Sequence, residues 1–336
     1  MQANRKNGDM TLLVTGRAGH LGEALMRVLD EAGHQPVGVD IKPSPFTTLV
    51  GSIADRDFVR RAMVGVDSVI HAATLHKPHV ATHTRQAFVD TNITGTLNLL
   101  EEAAVHGVRA FVYTSTTSVY GRALTPPPGA PAAWITEDVA PAPKNIYGVT
   151  KLAAEHLCEL FHRNRGLPCV VLRTSRFFPE LDDHRQTRES YDDLNVKTNE
   201  MLYRRADLED VADAHLLAAM RAPALAFGRY IVSATTPFTR DDLPQLHREA
   251  PAVVSRRVPE YEEVYASRGW SMFPTIDRVY VNDRARADLG WTPRYDFARV
   301  VGQLRTGADP RSALAIAVGS KGYHAETFAD GPYPVE

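Results

Sequence analysis

Thr15-Gly16-Arg17-Ala18-Gly19-His20-Leu21-Gly22 is the stretch on which the fold turns. It follows an apolar run, residues 11–15, and leads into a helical pattern, so the three glycines sit at a strand-to-helix turn. Glycines at this spacing permit a tight turn, close approach of a pyrophosphate to the backbone and close packing of helix on strand. The helix N-terminus then turns its free amides toward the phosphates. Gly16, Ala18, Gly19, His20, Leu21 and Gly22 are therefore the expected cofactor loop. Eighteen residues after Gly22, Val37-Gly-Val-Asp40 ends in a carboxylate positioned to accept hydrogen bonds from an adenosine ribose. Asp40 favours NAD over NADP, while Lys42 and Arg17 are the nearby cations that a 2′-phosphate would need.

Outward from this loop, strand-like runs at 36–40, 66–71, 109–115 and 167–173 alternate with helical patterns. The alternation predicts an α/β fold, a Rossmann-type doubly wound parallel sheet wrapped on both faces. Residues 111–115 and 169–173 are nearly continuous apolar runs and read as central strands. Residues 121–143 are proline-rich and read as a loop over the active site. Residues 179–205 are crowded with charge, either a solvated face or a substrate-facing surface. A helix is expected over 207–221, a strand over 229–233, no clear periodicity over 236–273, and a short helix from 282 ended by Gly290. The organisation is an NAD-binding Rossmann domain of 10–175 plus about 206–234, and a smaller substrate-binding region of about 176–205 plus 235–320. Residues 1–9 and 321–336 read as tails.

Of the 336 residues 44% are hydrophobic, and 38 basic side chains nearly balance 40 acidic ones. That balance argues against disorder, nucleic acid and an anionic membrane surface as partner, and leaves small molecules. The polar residues 1–9 and the lack of a long apolar stretch make the cytoplasm the expected location. Cys158 and Cys169 read as buried thiols rather than a disulfide framework.

Tyr147-Gly-Val-Thr-Lys151 lies in a helical pattern over 144–163, so the phenol and the ammonium share a face one turn apart. A free tyrosine titrates near ~10, and each unit of lowering needs about 1.4 kcal/mol of preferential phenolate stabilisation. A neighbouring ammonium supplies such stabilisation and makes a base of the phenol.

These segments, with His71-Ala72-Ala73, Asn92 in Thr-Asn-Ile-Thr-Gly-Thr, Thr114-Ser-Thr-Thr-Ser-Val-Tyr-Gly121, Asp210-Val-Ala212 and Leu289-Gly-Trp-Thr-Pro293, are ordered as in the extended short-chain dehydrogenase/reductase family, the NAD-dependent epimerase/dehydratases of sugars and sugar nucleotides, which the chain resembles over most of its length. The resemblance implies that Thr116 holds the reacting oxygen, that Tyr147 takes its proton, and that Lys151 tunes the phenol and holds the nicotinamide ribose. It also puts His71, Ala72, Ala73 and Asn92 near the cofactor, although a buried Asn bonding backbone is an equal reading for Asn92. A homodimer is expected by the same analogy.

Two departures refine the expectation. The family's sugar 4,6-dehydratases carry Asp-Glu where this chain has Thr117-Ser118, which disfavours elimination. Arg173-Thr-Ser-Arg176-Phe-Phe-Pro-Glu180 is similar to a region of uronate dehydrogenases. Arg176, and with it Thr117, is thus a substrate residue, with Arg176 gripping a carboxylate or phosphate or else pairing with Glu180 or Asp182-Asp183. His76, His79 and His83 suggest a metal only superficially: Pro78 interrupts the helix they would share, and no metal is expected. The function implied is hydride transfer at a secondary alcohol of a sugar or sugar nucleotide by an NAD-dependent epimerase or oxidoreductase. The alternatives are a one-way dehydrogenase of a free acidic sugar and a non-catalytic NAD-sensing protein.

Overall fold

The computed structural model describes residues 10–324, Phe328 and Gly331; the remaining positions of the expected tails lie outside the described residues. Seven strands form one parallel sheet: β1 (Thr11–Thr15), β2 (Gln35–Asp40), β3 (Leu49–Val50), β4 (Ser68–His71), β5 (Ala110–Thr116), β7 (Cys169–Thr174) and β8 (Phe227–Val232). Their order is β3-β2-β1-β4-β5-β7-β8, so the chain winds one way from β1 and the other way from β4. The reversal of strand order between β1 and β4 opens a crevice at their carboxyl ends.

Side-chain alternation builds both faces of this sheet. Leu12 and Val14 of β1 join Val112, Val170 and Leu172 under the helices His20–Glu31 and Leu208–Leu225. Leu13 faces the other way, with Phe111, Val171, Leu99, Ala154 and Cys158 beneath the helices Gly95–Val105 and Ile146–Arg165. Burial on both sides explains why β1, β5 and β7 lack a polar face. Cys158 and Cys169 are free and buried. Among the described residues no helix is long and apolar enough to cross a membrane.

Two expectations need correction. Within the proline-rich passage, β6 (Ala133–Ile135) pairs in parallel with β9 (Arg278–Tyr280) to make a second, two-stranded sheet. Three-residue strands formed between segments more than a hundred residues apart leave almost no periodic signal. Residues 236–273, read as aperiodic, hold the helices Ala250–Arg257 and Tyr261–Arg268, whose Val253, Val254, Val264 and Tyr265 enter a second core with Leu202, Phe297 and Val301. Helices of eight residues complete barely two turns, too few for a clear period.

The paired motifs near 210 and 291 fasten this second core to the sheet. Trp291 is buried and its Nε1 donates to the Asp210 carbonyl at 2.9 Å, while the Asp210 carboxylate accepts from the amides of Arg294 and Tyr295, each at 2.9 Å. Gly290 has φ +68 and ends the preceding helix.

Candidate active site

A cleft of about 710 Å³ runs along the carboxyl ends of the strands, from Asp40 at the end of β2 through the glycine loop after β1, Ala72-Ala73 after β4 and Thr116-Thr117 at the end of β5 to Arg176 after β7. Gly16 adopts φ +74, and a Cβ there would come within 2.6 Å of the Ala73 backbone. At Gly22 a Cβ would lie 2.2 Å from Arg17 Cα, so this glycine lets the helix press on the loop. Gly19 is different: a Cβ there would meet only the Gly16 carbonyl, at 3.3 Å, and the residue lines the cleft. Gly19 is also the N-cap of His20–Glu31 and supplies no side-chain acceptor. The first-turn amides of that helix are therefore left for an anion, as a dinucleotide pyrophosphate requires. Asp40 accepts from the amides of Ala18 and Lys42, each at 2.9 Å, which fixes its carboxylate at the cleft edge with acceptor capacity to spare. The expected loop residues Ala18, His20 and Leu21 line the cleft as well. These features fit NAD.

Farther along, Asn145 caps the helix Ile146–Arg165 by accepting from the Gly148 amide, and this helix carries Tyr147 and Lys151 on its inner face. Burial pushes the Tyr147 phenol up to about 12, opposed by a hydrogen bond with the Thr116 hydroxyl. Lys151 is 1% exposed; burial pulls its ammonium down to about 7 against the pull of the Glu155 carboxylate. Its Nζ donates to the Thr114 carbonyl at 2.5 Å and lies 4.2 Å from the centre of the Tyr113 ring. Phenol, ammonium and hydroxyl thus share one wall of the cleft, an arrangement able to take a proton from an alcohol and to steady its oxygen.

His71 and Asn92 stand behind the cleft rather than in it. His71 is clamped between Thr15 Oγ1 at 2.7 Å and Thr96 Oγ1 at 2.9 Å. Thr96 gives its own proton to the Asn92 carbonyl, so His71 donates from Nε2 and accepts at Nδ1; burial first, then the Lys151 charge, keeps it neutral. Asn92 donates to the Leu75 carbonyl and Thr150 Oγ1 and accepts from Thr74 Oγ1 and the Leu75 amide, all within 3.0 Å. Every hydrogen-bonding position of its amide group is used in tying the loop after β4 to the Tyr147 helix.

Arg176 lines the cleft, but its guanidinium is held by Asp182 at 2.7 Å, Asp183 at 2.8 Å and Glu200 at 3.1 Å. The pairing with Asp182-Asp183 weighed against an anion grip is the arrangement present. The charge-rich stretch divides: Asp182, Asp183, Glu200 and Arg205 are buried and paired, whereas Arg185, Glu189 and Asp192 are exposed and form the solvated face. Charges buried in one mutual cluster look the same in sequence as charges in water.

A further wall of the cleft carries no sequence motif. Residues 320–324, partly within the expected tail, cross the cleft mouth, and Glu180 is their anchor. Its carboxylate takes bonds from Ser320 Oγ at 2.7 Å, from the amides of Lys321 and Gly322 at 3.1 and 3.0 Å, and from His20 on the cofactor loop at 2.8 Å. Burial alone would raise the Glu180 carboxyl, yet these partners hold it at about 2. Tyr323 packs on His76 and Phe178 with ring centres 5.0 and 5.6 Å away. His79 donates to the Tyr323 carbonyl and His324 to that of Pro78, so the histidines serve this closure. No group of metal-ligating side chains is present among the described residues.

Residues 12–226 match the NAD dependent epimerase/dehydratase family. A UDP-glucose 4-epimerase of Streptomyces lividans is 27% identical over 86% of this chain and 93% of its own length. A dTDP-glucose 4,6-dehydratase of Streptomyces antibioticus is 30% identical over 86% of this chain and 89% of its own. The uncharacterized protein y4nG of Sinorhizobium fredii is 33% identical over 168 residues, and the match spans only 40% of its length. Among solved structures, a short-chain dehydrogenase/reductase superfamily protein from Agrobacterium tumefaciens with bound NAD shares the fold at a TM-score of 0.63 and 24% identity, over 88% of this chain and 96% of that one. The Thermus thermophilus UDP-glucose 4-epimerase complex with NAD does so at 0.60 and 22%, over 88% and 99%.

Proposed function

This chain belongs to the NAD-dependent epimerase/dehydratase family, enzymes of the extended short-chain dehydrogenase/reductase type, and from that premise we propose that it is an NAD-dependent epimerase or oxidoreductase working at a secondary alcohol of a sugar nucleotide. The observation that carries the reading is that Tyr147 and Lys151, one turn apart on one helix, line the same cleft as the Thr116 hydroxyl and the glycine loop. NAD, when bound, accepts a hydride from the alcohol carbon and can return it. Tyr147 takes the hydroxyl proton, Thr116 steadies the oxygen, and the Lys151 ammonium favours the phenolate. His71 and Asn92 hold the loops on either side in register.

Elimination of water is disfavoured. Asp40 is the one carboxylic acid among the described residues lining the cleft, and it sits at the opposite end from β7, so no acid is in reach to protonate a leaving hydroxyl. The closure by residues 320–324 favours epimerisation over net oxidation, because a cofactor kept under that segment is returned to its starting state by the same sugar. Incubation with UDP-glucose is expected to yield an isomerised nucleotide sugar without net NADH absorbance. Net NADH formed from D-glucuronate would favour the acidic-sugar dehydrogenase instead, and turnover of neither would sink both readings.

Two further outcomes follow from the cofactor end. A chain stopped after Gly319 is expected to lose NAD on gel filtration at least about tenfold faster than the full chain, since the closure rests on several charged hydrogen bonds to Glu180 worth about 1.5–3 kcal/mol each. Equal retention would show that the segment does not hold the cofactor. Asp40→Ala is expected to weaken NAD binding by about 10–100-fold and to erase preference over NADP, read by calorimetry on the apo protein.

A further inference from the structure

Arg17 is the residue of the glycine loop that the cofactor cleft does not use. Every other position from Gly16 to Gly22 lines the cleft, whereas Arg17 is 0% exposed and its side chain runs to Gly38 and Phe46, neither of which lines it. Gly38 sets that course. A Cβ there would lie 2.1 Å from Arg17 Cδ and 2.2 Å from Nη1, so the missing side chain is the slot that the guanidinium occupies. Phe46 covers the slot, its ring centre 5.0 Å from Arg17 Cζ. The segment carrying that ring folds back on β2, with the Thr48 amide donating to the Gly38 carbonyl at 2.9 Å and the Gly38 amide donating to Thr48 Oγ1 at 3.1 Å. Arg27, on the helix that follows the loop, approaches the same ring at 4.9 Å.

The stowed guanidinium has no counter-charge in contact with it. Nε, Nη1 and Nη2 are all buried without a hydrogen-bond acceptor among the described residues. The two carboxylates whose charge reaches it are engaged elsewhere: Glu23 holds Arg27 and Lys321, and Asp40 accepts from the amides of Ala18 and Lys42. Burial accordingly pulls Arg17 down to about 10 against both of them. A buried cation left unpaired is costly, and an aromatic ring offsets only part of that cost. The group it lacks is an anion, and the ligand surface on this side of the loop is the ribose edge at Asp40, where a 2′-phosphate would lie.

We propose that Gly38 and Phe46 decide the choice between NAD and NADP, by stowing Arg17 out of reach of the adenosine ribose. Asp40 is then left to take the ribose hydroxyls alone, and a 2′-phosphate meets a carboxylate with no guanidinium fork to offset it. Filling the slot expels the fork toward the cleft edge, where it serves NADP. The proposal rests on the reading of the cleft as a dinucleotide site and is independent of which sugar is turned over.

The test is calorimetric titration of the full chain, stripped of any bound dinucleotide, with NAD and with NADP. Gly38→Ala is expected to strengthen NADP binding at least about tenfold, the gain of a bidentate charged contact. Phe46→Ala, which removes the cover and leaves β2 intact, is expected to act in the same direction. Adding Arg17→Met to either variant should return NADP to its wild-type affinity, which separates Arg17 from Lys42 as the source of the gain. Arg17→Met alone should raise the melting temperature by about 2 °C or more, because an apolar chain of similar length replaces an unpaired buried ion. NADP affinity that rises in neither Gly38→Ala nor Phe46→Ala, a gain that survives Arg17→Met, or an Arg17→Met chain that melts no higher than wild type overturns the proposal. A wild-type chain that binds neither dinucleotide sinks the reading of the cleft itself, and the proposal with it.

Discussion

Tyr147→Phe is expected to lower turnover by about 10²–10⁴-fold while NAD remains bound, because the variant deletes one oxygen and leaves the ring's packing in place. That oxygen starts at a disadvantage. Burial holds the phenol at about 12, above a free tyrosine, so at neutral pH almost none of it is phenolate in the unliganded chain. The opposing influences are the Thr116 hydrogen bond and whatever positive charge stands nearby. Lys151, itself pulled down to about 7 by burial, is the protein's own source of that charge. An ammonium at Lys151, brought against the phenol, favours loss of the phenol proton. For alcohol oxidation the base form is needed, so kcat/KM is expected to rise about tenfold per pH unit and to level off once the phenolate is complete. Lys151→Met should move that plateau to higher pH, and Tyr147→Phe should remove the rising limb altogether. A Phe variant that keeps turnover within about tenfold, or keeps the limb, would assign the proton transfer to another group.

Those residues were legible in the sequence because they belong to short motifs whose spacing carries the chemistry. Gly16, Gly19 and Gly22 announce a turn through their missing side chains, and Tyr147 with Lys151 shares a helix face by periodicity alone. The sheet was legible for a related reason: β1, β5 and β7 are buried on both faces, and continuous apolar runs bounded by turns say so. What escaped was pairing at long range. β6 and β9 are three residues each, and neither means anything until the other is beside it. Asp182, Asp183 and Glu200 look like surface charges until Arg176, Arg204 and Arg205 are folded onto them. Glu180 stood out in the sequence only as part of a Phe-Phe-Pro-Glu run, yet its carboxylate joins His20 to residues 320–322 across some 140–160 positions of chain. Local propensity cannot report such partnerships, because the energy that selects them appears only after the core has formed.

Glu155→Ala is expected to cost about 3–5 kcal/mol of folding stability, more than any single hydrogen bond in the site would. Glu155 follows Lys151 by one helical turn and is wholly buried. Its Oε1 accepts from Ser115 Oγ at 2.5 Å and from Arg173 Nε at 3.1 Å, and its Oε2 from Arg173 Nη2 at 2.7 Å. Arg173, 3% exposed on β7, also donates to Tyr120 Oη and stacks on that ring at 4.9 Å. Removing the carboxylate leaves a guanidinium inside the protein with no counter-charge, and desolvation that the pair shared falls on one ion. At about 2–4 °C per kcal/mol, melting should drop by roughly 6–20 °C. Glu155→Leu with Arg173→Met, which removes both charges and refills the volume, should recover much of that loss, because the cost lies in the unpaired ion rather than in the missing bonds. Glu155→Gln separates the pair's second effect from its first. It keeps the shape but withdraws the carboxylate that holds up the Lys151 charge, so Lys151 should lose its proton at lower pH and the activity plateau should shift as it does in Lys151→Met, though less. A Glu155→Ala protein that melts within about 2 °C of wild type would show that solvent reaches Arg173 and that the pair is not the clamp between the Tyr147 helix and the central sheet.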